Sequence, residues 1–334
     1  MKIWIDITNT PHVSVLLPII RHLEKNHELI ITARNFSETI PLLEMANIRP
    51  IVIGGYGGKS RVAKFLVNGL RIFNTWLRTP PFDLSLSLGG NFVASVSWLR
   101  GKPSVVFSDN DISYKAPAYK YGNYFIFPEY FNTKSIEDKY GIKKEQIFKF
   151  DGFKEDIYIA NYEPDPNFME SIPFNEYITI RPENLKASYV PKNSVTIVPE
   201  LFKEFKDENI LFMPRYPEEH AYAQGYNNIF IPVGPLKGLD VVRNTKAMLT
   251  GAGTFAREAA LLGKTSVSFF PGKSFLAVDI IMQEKGWEFH SRSAKEIRQY
   301  LNTAEKRTSQ QGRSKDVLKE VIEIIENIIK KESK

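Results

Sequence analysis

The sequence contains no cysteine, which excludes disulfide bonds, thiolate metal sites and cysteine nucleophiles together. Histidine is also scarce. The five histidines are scattered, and no two of them have the spacing of metal ligands on one helix face: His12, His22, His27, His220 and His290. We therefore expect no structural zinc site.

Long apolar runs are missing as well. No segment approaches the roughly 18 consecutive apolar residues that span a bilayer. The chain passes from Met1 and Lys2 directly into a strand-like run, unlike a signal peptide. We therefore expect a cytoplasmic protein.

The composition is typical of a globular protein, with 43% hydrophobic and 25% charged residues. A chain of 334 residues exceeds the usual size of a single core, so we expect two domains. The net charge of +6 favours phosphorylated ligands or an anionic membrane surface. Lys330, Lys331 and Lys334 indicate a solvated helix end rather than a nucleic-acid site.

The segment from Lys246 to Lys273 has the pattern of a strand, a glycine turn, a helix and a second strand. A short apolar run breaks at Gly251 and Gly253, an Ala- and Leu-rich helix follows over 254–262, and a β-branched and aromatic run covers 265–270. Such glycines allow a ligand to approach the backbone closely. The alternative is that these glycines only shape a tight turn between the strand and the helix.

The start of the helix after this turn is a candidate anion site. Free N–H groups near Thr254 and Phe255 attract an anion such as a diphosphate. Glu258 lies about one turn further on, where a carboxylate can accept hydrogen bonds from ribose hydroxyls. Arg257 beside it is a candidate to pair with a phosphate.

The chain opens with a buried strand, Lys2 to Ile7, and a helix with apolar residues at helical spacing. Thr10 is the predicted cap and Pro11 the first helical residue. His12 then lies in the first turn, at the carboxyl end of the sheet, where ligands bind in open α/β folds. A surface histidine without function is the alternative.

Further strands follow in a regular βα rhythm. The strand over 103–107 ends at Asp109 and Asp111, and a carboxylate at a strand's carboxyl end is well placed for acid–base chemistry. Asp109 is our preferred candidate, with a helix cap or turn residue as the alternative. We interpret Gly54 to Lys59 as a mobile loop that, with Tyr56, Lys59 and Arg61, closes over an acceptor.

A second βα series starts after a proline-containing hinge near residues 155–170. The strand over 177–180 leads into Arg181 and Glu183, and the strand over 210–213 leads into Arg215. Because each polar group follows a strand, we expect one sheet edge to carry an anion pocket with two guanidinium groups. Structural salt bridges are the alternative for each arginine.

Two βα domains with a glycine turn and a downstream glutamate resemble the GT-B architecture of nucleotide-sugar glycosyltransferases and of the non-hydrolysing UDP-N-acetylglucosamine 2-epimerases. Four segments are also similar to an archaeal family of unknown function described as predicted glycosyltransferases. They are MKIWIDITNTPH at 1–12, ITAR at 31–34, RPE at 181–183 and TGAGTFAREAA at 250–260. The resemblance covers essentially the whole chain.

This resemblance implies an α/β fold with two Rossmann-like domains that face each other across a cleft. Residues 1–160 would form the acceptor-side domain and residues 161–312 the nucleotide-sugar-binding domain. Residues 313–334 would form a C-terminal helix that crosses back to the N-terminal domain. This crossing would give the amphipathic segment Val317 to Ile329 its packing partner.

The activity implied is transfer of a sugar from a nucleotide-diphosphate sugar, with UDP favoured, to an acceptor hydroxyl. The resemblance implies no metal ion and no cofactor, and the acceptor would be a lipid-linked molecule or a glycan. A basic and aromatic face that includes Trp76, Arg78 and the Gly54 to Lys59 loop is a candidate to meet lipid-linked substrates at a membrane surface. The implied donor-binding residues are Arg181, Arg215, Gly251, Gly253, Thr254 and Glu258; the candidate bases are His12 and Asp109.

Epimerase activity is the second hypothesis, because Ile180 to Asn184 is similar to the epimerase pattern His-Arg-x-Glu-Asn. Ile180 stands where that family has its histidine, and the epimerases' Gly-Thr-Arg-Pro-Glu opening is replaced by Ile7 to Pro11. Glu183 and Asp109 remain acid–base candidates. A third hypothesis is a non-catalytic sugar-nucleotide-binding protein with the same fold.

Overall fold

The computed structural model describes residues 1–36, 38–55, 61–112, 116–187, 190–272 and 274–334, without the side chains of residues 61–68. The chain divides into two compact units. The first unit consists of Met1–Tyr158 and Lys315–Lys334, and the second of Ile159–Ser314. Both are α/β units built on a parallel sheet.

In the first unit, strands and helices alternate along the chain. Within the described residues, the sheet order is β3-β2-β1-β4-β5-β6-β7, and all paired neighbours are parallel. The strands are β1 (Lys2–Ile7), β2 (Glu28–Ala33), β3 (Ile51–Val52), β4 (Leu84–Leu88), β5 (Ser104–Phe107), β6 (Tyr124–Pro128) and β7 (Ile147–Phe150). The helices are α1 (Thr10–Leu23), α2 (Thr39–Met45), α3 (Arg61–Arg78), α4 (Asn91–Leu99), α5 (Ala116–Tyr121), α6 (Lys134–Tyr140) and α7 (Asp156–Ile159, which ends in the second unit).

The second unit repeats this arrangement. Its described residues form the sheet order β10-β9-β8-β11-β12-β13, again with parallel neighbours. The strands are β8 (Ile178–Arg181), β9 (Ile210–Phe212), β10 (Ile229–Phe230), β11 (Ala247–Thr250), β12 (Thr265–Ser268) and β13 (Phe289–His290). The helices are α8 (Val198–Glu204), α9 (Gly238–Asn244), α10 (Gly253–Leu261), α11 (Ala277–Glu284) and α12 (Ala294–Thr303).

The central strands are buried on both faces, as parallel sheets covered by helices require. In β4 and β6 every residue is buried. Consequently, polar residues within such strands must find partners inside the fold. Ser85, for example, hydrogen-bonds Ser97 of α4 through the two hydroxyls at 2.7 Å.

Each sheet has one point where the strand order reverses direction. In the first unit it lies between β1 and β4, and in the second between β8 and β11. In open parallel sheets, ligands bind at the carboxyl ends of the strands beside this reversal. The fold therefore selects the residues that follow these four strands as candidate ligand contacts.

The last helix, α13 (Gln311–Glu332), contributes its residues from Lys315 onward to the first unit. A β-carbon added at Gly152 would lie 2.6 Å from the Val317 side chain, so the helix passes close to the backbone after β7. The Glu326 carboxylate lies 3.0 Å from the His22 imidazole of α1. These contacts fix the apolar face of α13 on the first unit.

The start of α1 differs from the sequence-based prediction by one residue. Thr10, the predicted cap, is already the first helical residue, and Asn9 precedes the helix with extended backbone at φ −146°. The Asn9 carbonyl accepts a hydrogen bond from the His12 backbone N–H at 3.0 Å. The prediction that Thr10 caps the helix was therefore wrong, whereas His12 does lie in the first turn.

Candidate functional site

At the reversal point of the second sheet, Arg181 ends β8 beside the start of α10. Its guanidinium carbon lies 5.2 Å from the ring centre of Phe255, which belongs to the first turn of that helix. A helix N-terminus carries a partial positive charge and free N–H groups. Arg181 therefore adds a full positive charge beside the N-terminus of α10, which already favours anions.

Arg215 reaches the same edge from the loop after β9. Its Nε donates to the carbonyl oxygen of Pro182 at 2.8 Å, which places the guanidinium beside the residue that follows Arg181. Its backbone N–H donates to the Glu219 carboxylate at 2.6 Å, and this bond fixes the turn. Thus the two arginines predicted from the sequence lie at neighbouring positions on one sheet edge.

The two glycines of the β11–α10 turn have different neighbours. A β-carbon at Gly251 would lie 2.7 Å from the backbone nitrogen of Glu183, so this turn packs directly on the loop after β8. At Gly253, an added β-carbon would lie 2.6 Å from Nη2 of Arg257, the end of a side chain. The packing against Glu183 accounts for Gly251 without any ligand.

Arg257 is held inside the fold by Asp279. Its side chain is buried, with Nη2 at 2.8 Å and Nε at 2.9 Å from one carboxylate oxygen of Asp279. This structural ion pair engages the Arg257 guanidinium, and its pairing with a phosphate stays a prediction. Glu258, the next residue of α10, is also buried.

Glu183 is almost completely buried, at 1% exposure. One carboxylate oxygen accepts a hydrogen bond from the Thr196 hydroxyl at 2.8 Å. The other accepts from the Ile197 backbone N–H at 3.2 Å and from Nη1 of Arg292 at 3.1 Å. The carboxylate therefore holds together the two ends of the segment between β8 and α8.

In the first unit, His12 and Asp109 follow β1 and β5, two strands separated by β4 on the same sheet edge. His12 is partly exposed, and its Nδ1 lies 3.0 Å from the hydroxyl of Thr8. Asp109 is 7% exposed, and its carboxylate pairs with the ammonium group of Lys154. Lys154 also lies 3.3 Å from the Glu155 carboxylate, so one buried cation serves two buried anions.

Comparison with known proteins places the chain in a family. The family model described as "Protein of unknown function (DUF354)" matches residues 1–332. The chain belongs to the DUF354 family. An uncharacterized protein of Methanocaldococcus jannaschii is 24% identical over 318 residues, which cover 90% of this chain and 91% of the relative.

Solved structures share the fold of this DUF354 protein. The UDP-GlcNAc 2-epimerase from Methanocaldococcus jannaschii superimposes with a TM-score of 0.71 at 19% identity, covering 98% of this chain and all 100% of the epimerase. Its complex with UDP-GlcNAc and UDP gives a TM-score of 0.73 at 18% identity, with the same coverage. The glycotransferase of kitacinnamycin gives 0.62 at 11% identity, covering 99% of this chain and 98% of that enzyme. These likenesses show the fold that the sequence predicted, two Rossmann-like units as in GT-B proteins.

Several buried charged residues of this DUF354 protein were missed by sequence reasoning. Arg71 of α3 and Asp6 of β1 form an ion pair at 2.9 Å, with side chains 3% and 2% exposed. An aspartate inside the apolar run of β1 was the available signal, because a carboxylate buried there needs a cationic partner. For Lys154 the signal was the charged run that directly follows β7.

Three other expectations concern the acceptor loop, a metal site and a membrane span. The acceptor-loop hypothesis rests on Tyr56, Lys59 and the side chain of Arg61, which lie outside the described residues. Among the residues that the structure describes, no group of three or more histidines, aspartates and glutamates is arranged to hold a metal ion. No helix in the same set is long and apolar enough to cross a membrane.

Proposed function

We propose that this protein is a glycosyltransferase that moves a sugar from a nucleotide-diphosphate sugar, with UDP favoured, to an acceptor hydroxyl without a metal ion. One observation carries the proposal. Arg181 lies beside the N-terminus of α10 at the reversal point of the second sheet, and Arg215 reaches Pro182, the residue after Arg181, from the neighbouring strand β9. This combination of charges suits a diphosphate.

In this proposal the second unit binds the donor. The backbone N–H groups at Gly253 and Thr254 face the diphosphate, and Glu258 accepts hydrogen bonds from the ribose. Arg181 and Arg215 stabilise the negative charge that develops on the leaving diphosphate, which is the role a metal ion plays elsewhere. Gly251 supports this site indirectly, because it allows the turn to pack on Glu183.

The first unit would take the acceptor, a glycan or a lipid-linked molecule, and supply the base. As the acceptor oxygen attacks the sugar carbon, His12 or Asp109 removes the hydroxyl proton. The Thr8 contact at Nδ1 orients the imidazole of His12. Glu183 is the third acid–base candidate; since both of its oxygens already accept hydrogen bonds, we assign it a positioning role.

A UDP-N-acetylglucosamine 2-epimerase-like activity is the second candidate. The fold likeness to the Methanocaldococcus jannaschii UDP-GlcNAc 2-epimerase over 98% of this chain favours it. Epimerisation at C2 requires several acids and bases in one pocket. The isoleucine at position 180, where epimerases carry histidine, weighs against this activity.

The first experiment is calorimetry of the purified chain with UDP, GDP and UDP-N-acetylglucosamine, followed by product analysis. We expect UDP-sugar binding without conversion, and about a tenfold or greater loss of affinity in Arg181→Ala and in Arg215→Ala. Lys203→Ala, an exposed lysine of the same unit, is the matched control. Unchanged affinity in both arginine variants would disprove the donor site.

The product analysis separates the three hypotheses. Conversion of the UDP-sugar without any acceptor would identify an epimerase. Binding that never leads to transfer, across a panel of glycan and lipid-linked acceptors, would identify a binding protein without catalysis. Acceptor-dependent release of UDP is the result that the transferase proposal requires.

A further inference from the structure

Large exposed apolar side chains are concentrated on one surface of the first unit. They lie on the second half of α3 and at the end of α4, two helices that pack side by side. Their exposed fractions are 60% for Leu70, 55% for Phe73, 40% for Trp76, 62% for Leu77, 59% for Trp98 and 53% for Leu99. We call these six residues the apolar patch.

In the second half of α3, polar side chains are buried beside Ile72, which packs on the core. Arg71 and Thr75 of the helix and Thr79, which directly follows it, are 4%, 1% and 3% exposed. Leu70, Phe73 and Leu77, three and four residues apart, form a stripe on the outer face. Burial within the first unit therefore does not explain these apolar residues, and contiguous exposed patches of this kind mark interaction surfaces.

Cations lie beside the patch at two places. Arg78 and Lys102 are exposed beside it, and they line one depression together with Trp76 and Leu99. Near Trp98, the Lys120 ammonium group is 5.4 Å from the ring of Tyr121, which packs against Trp98 at a tilt of 35°. A partner that covers the patch must therefore accept apolar contacts at its centre and positive charge around them.

The patch is also held in place. Arg100 is the residue directly after α4. Its guanidinium donates to the carbonyl oxygen of Pro80 at 3.1 Å and to that of Trp76. It thereby ties the end of α4 to the end of α3. The aromatic and aliphatic side chains thus project from one fixed surface rather than from independent helices.

We propose that this surface docks the protein on an anionic lipid bilayer. Phe73, Leu77 and the tryptophans enter the boundary between headgroups and acyl chains, while Arg78 and Lys102 contact the lipid phosphates. A second copy of the chain fits less well, because two-fold symmetry would bring the same cations face to face. The docking surface belongs wholly to the first unit, so it does not depend on the donor site of the second.

The test is co-sedimentation of the full chain with vesicles of phosphatidylcholine, with and without phosphatidylglycerol. Binding is expected only to the anionic vesicles and is expected to weaken as salt is raised. Phe73→Ser with Leu77→Ser removes apolar contact, and Arg78→Glu with Lys102→Glu reverses the charge. Each pair is expected to lower the partition coefficient about tenfold or more.

Matched controls lie in the second unit. Val195→Ser with Val233→Ser removes two apolar side chains that are 73% and 105% exposed, and Lys203→Glu with Lys206→Glu reverses two exposed charges. Both control pairs should bind vesicles like the unchanged protein. UDP affinity, measured in parallel, should be equal in all variants, so failure of the docking proposal is distinguishable from failure of the donor site.

Three results would overturn the proposal. The first is no binding of the unchanged protein to anionic vesicles, and the second is equal binding by patch and control variants. The third is a dimer in analytical ultracentrifugation that dissociates in the Phe73→Ser, Leu77→Ser variant, which would make the patch an interface between copies. Because the substituted residues are exposed, thermal unfolding is expected to show that the variants remain folded.

Discussion

Glu183 and Arg292 form an ion pair at 3.1 Å, although 109 positions separate them in the chain. Arg292 follows β13 and Glu183 follows β8, two strands separated by β11 and β12 in the sheet. Nη1 of Arg292 also donates to the carbonyl of Phe269, just beyond β12, at 2.6 Å. This pair therefore ties the carboxyl edge of the second sheet together, beside the proposed diphosphate site.

Substitution of Glu183 tests that structural role. Glu183→Ala removes a carboxylate with 0% exposed side chain, which leaves the Ile197 N–H without its acceptor and the Arg292 cation without its carboxylate. We expect the free energy of unfolding to fall by about 3 kcal/mol. Urea unfolding followed by circular dichroism measures this change.

The control for Glu183 is Glu218→Ala. Glu218 pairs with Lys186 at 2.5 Å, but both side chains are more than half exposed, at 58% and 59%. Exposed pairs of this kind contribute about 0–1 kcal/mol. Equal losses in the two variants would show that the Glu183 network does not stabilise the fold.

The two glycines of the β11–α10 turn should respond differently to alanine. Gly251→Ala forces a methyl group against the Glu183 backbone, and overpacking of this kind costs about 1–3 kcal/mol. Gly253→Ala meets the Arg257 guanidinium, a side-chain group rather than backbone, and should lose less stability than Gly251→Ala. If Gly253→Ala nevertheless loses UDP affinity, this glycine serves the approach of the ligand. A lower stability of Gly253→Ala than of Gly251→Ala would contradict the geometry.

The sequence predicted the fold because its signals are local. Apolar runs broken by glycine, proline and asparagine predicted the βα rhythm, and parallel strands place all their carboxyl ends on one edge. This reasoning placed Arg181, Arg215 and the start of α10 on one sheet edge before any contact was known. Element ends shifted by one or two residues, as at Gly253, because cap geometry depends on neighbours that a local pattern does not contain.

Which distant residues of the chain contact each other was not predictable in the same way. Asp6 and Arg71 are 65 positions apart, and nothing local links them. Likewise, Gly251 was interpreted as a candidate ligand contact, but its close neighbour is the backbone of Glu183, on the adjacent strand's loop. Such pairs follow from strand order, and strand order is set by the whole sheet rather than by any segment.

The choice of catalytic base is tested by two substitutions. His12→Ala and Asp109→Asn each leave the proposed donor site in the second unit untouched, so UDP affinity should not change. A general base contributes about 10²–10⁴-fold to turnover, so the variant that removes it should be slower by that factor. Lack of any effect in both variants would show that the base lies elsewhere.

Lys154 provides a further check on Asp109. Lys154→Met leaves the carboxylates of Asp109 and Glu155 buried without their shared cation and is expected to destabilise the first unit. Lys154→Arg retains the charge and should remain closer to the original stability. If Lys154→Met is as stable as Lys154→Arg, the ion pairs do not hold Asp109 in place.

The lowered pKa of His290 predicts that the protein loses stability in mild acid. Burial lowers the pKa of His290 below its ordinary value of 6.5, and the positive charge of Arg292 lowers the pKa further, against smaller opposing effects of Asp279 and Ser268. The folded protein therefore binds this proton less readily than the unfolded chain. Above about pH 6.5 the residue is neutral in both states and contributes no pH dependence, whereas below that pH protonation favours the unfolded chain.

The expected result is a fall in melting temperature as the pH decreases from about 6.5 towards the lowered pKa of His290, and a shallower fall in His290→Gln. The control is His220→Gln, because His220 is exposed and its substitution should leave the slope of the original protein unchanged. Thermal unfolding of the three proteins across this pH range makes the comparison. A slope that His290→Gln does not reduce would show that the imidazole of His290 is solvated well enough in the folded protein to accept its proton normally.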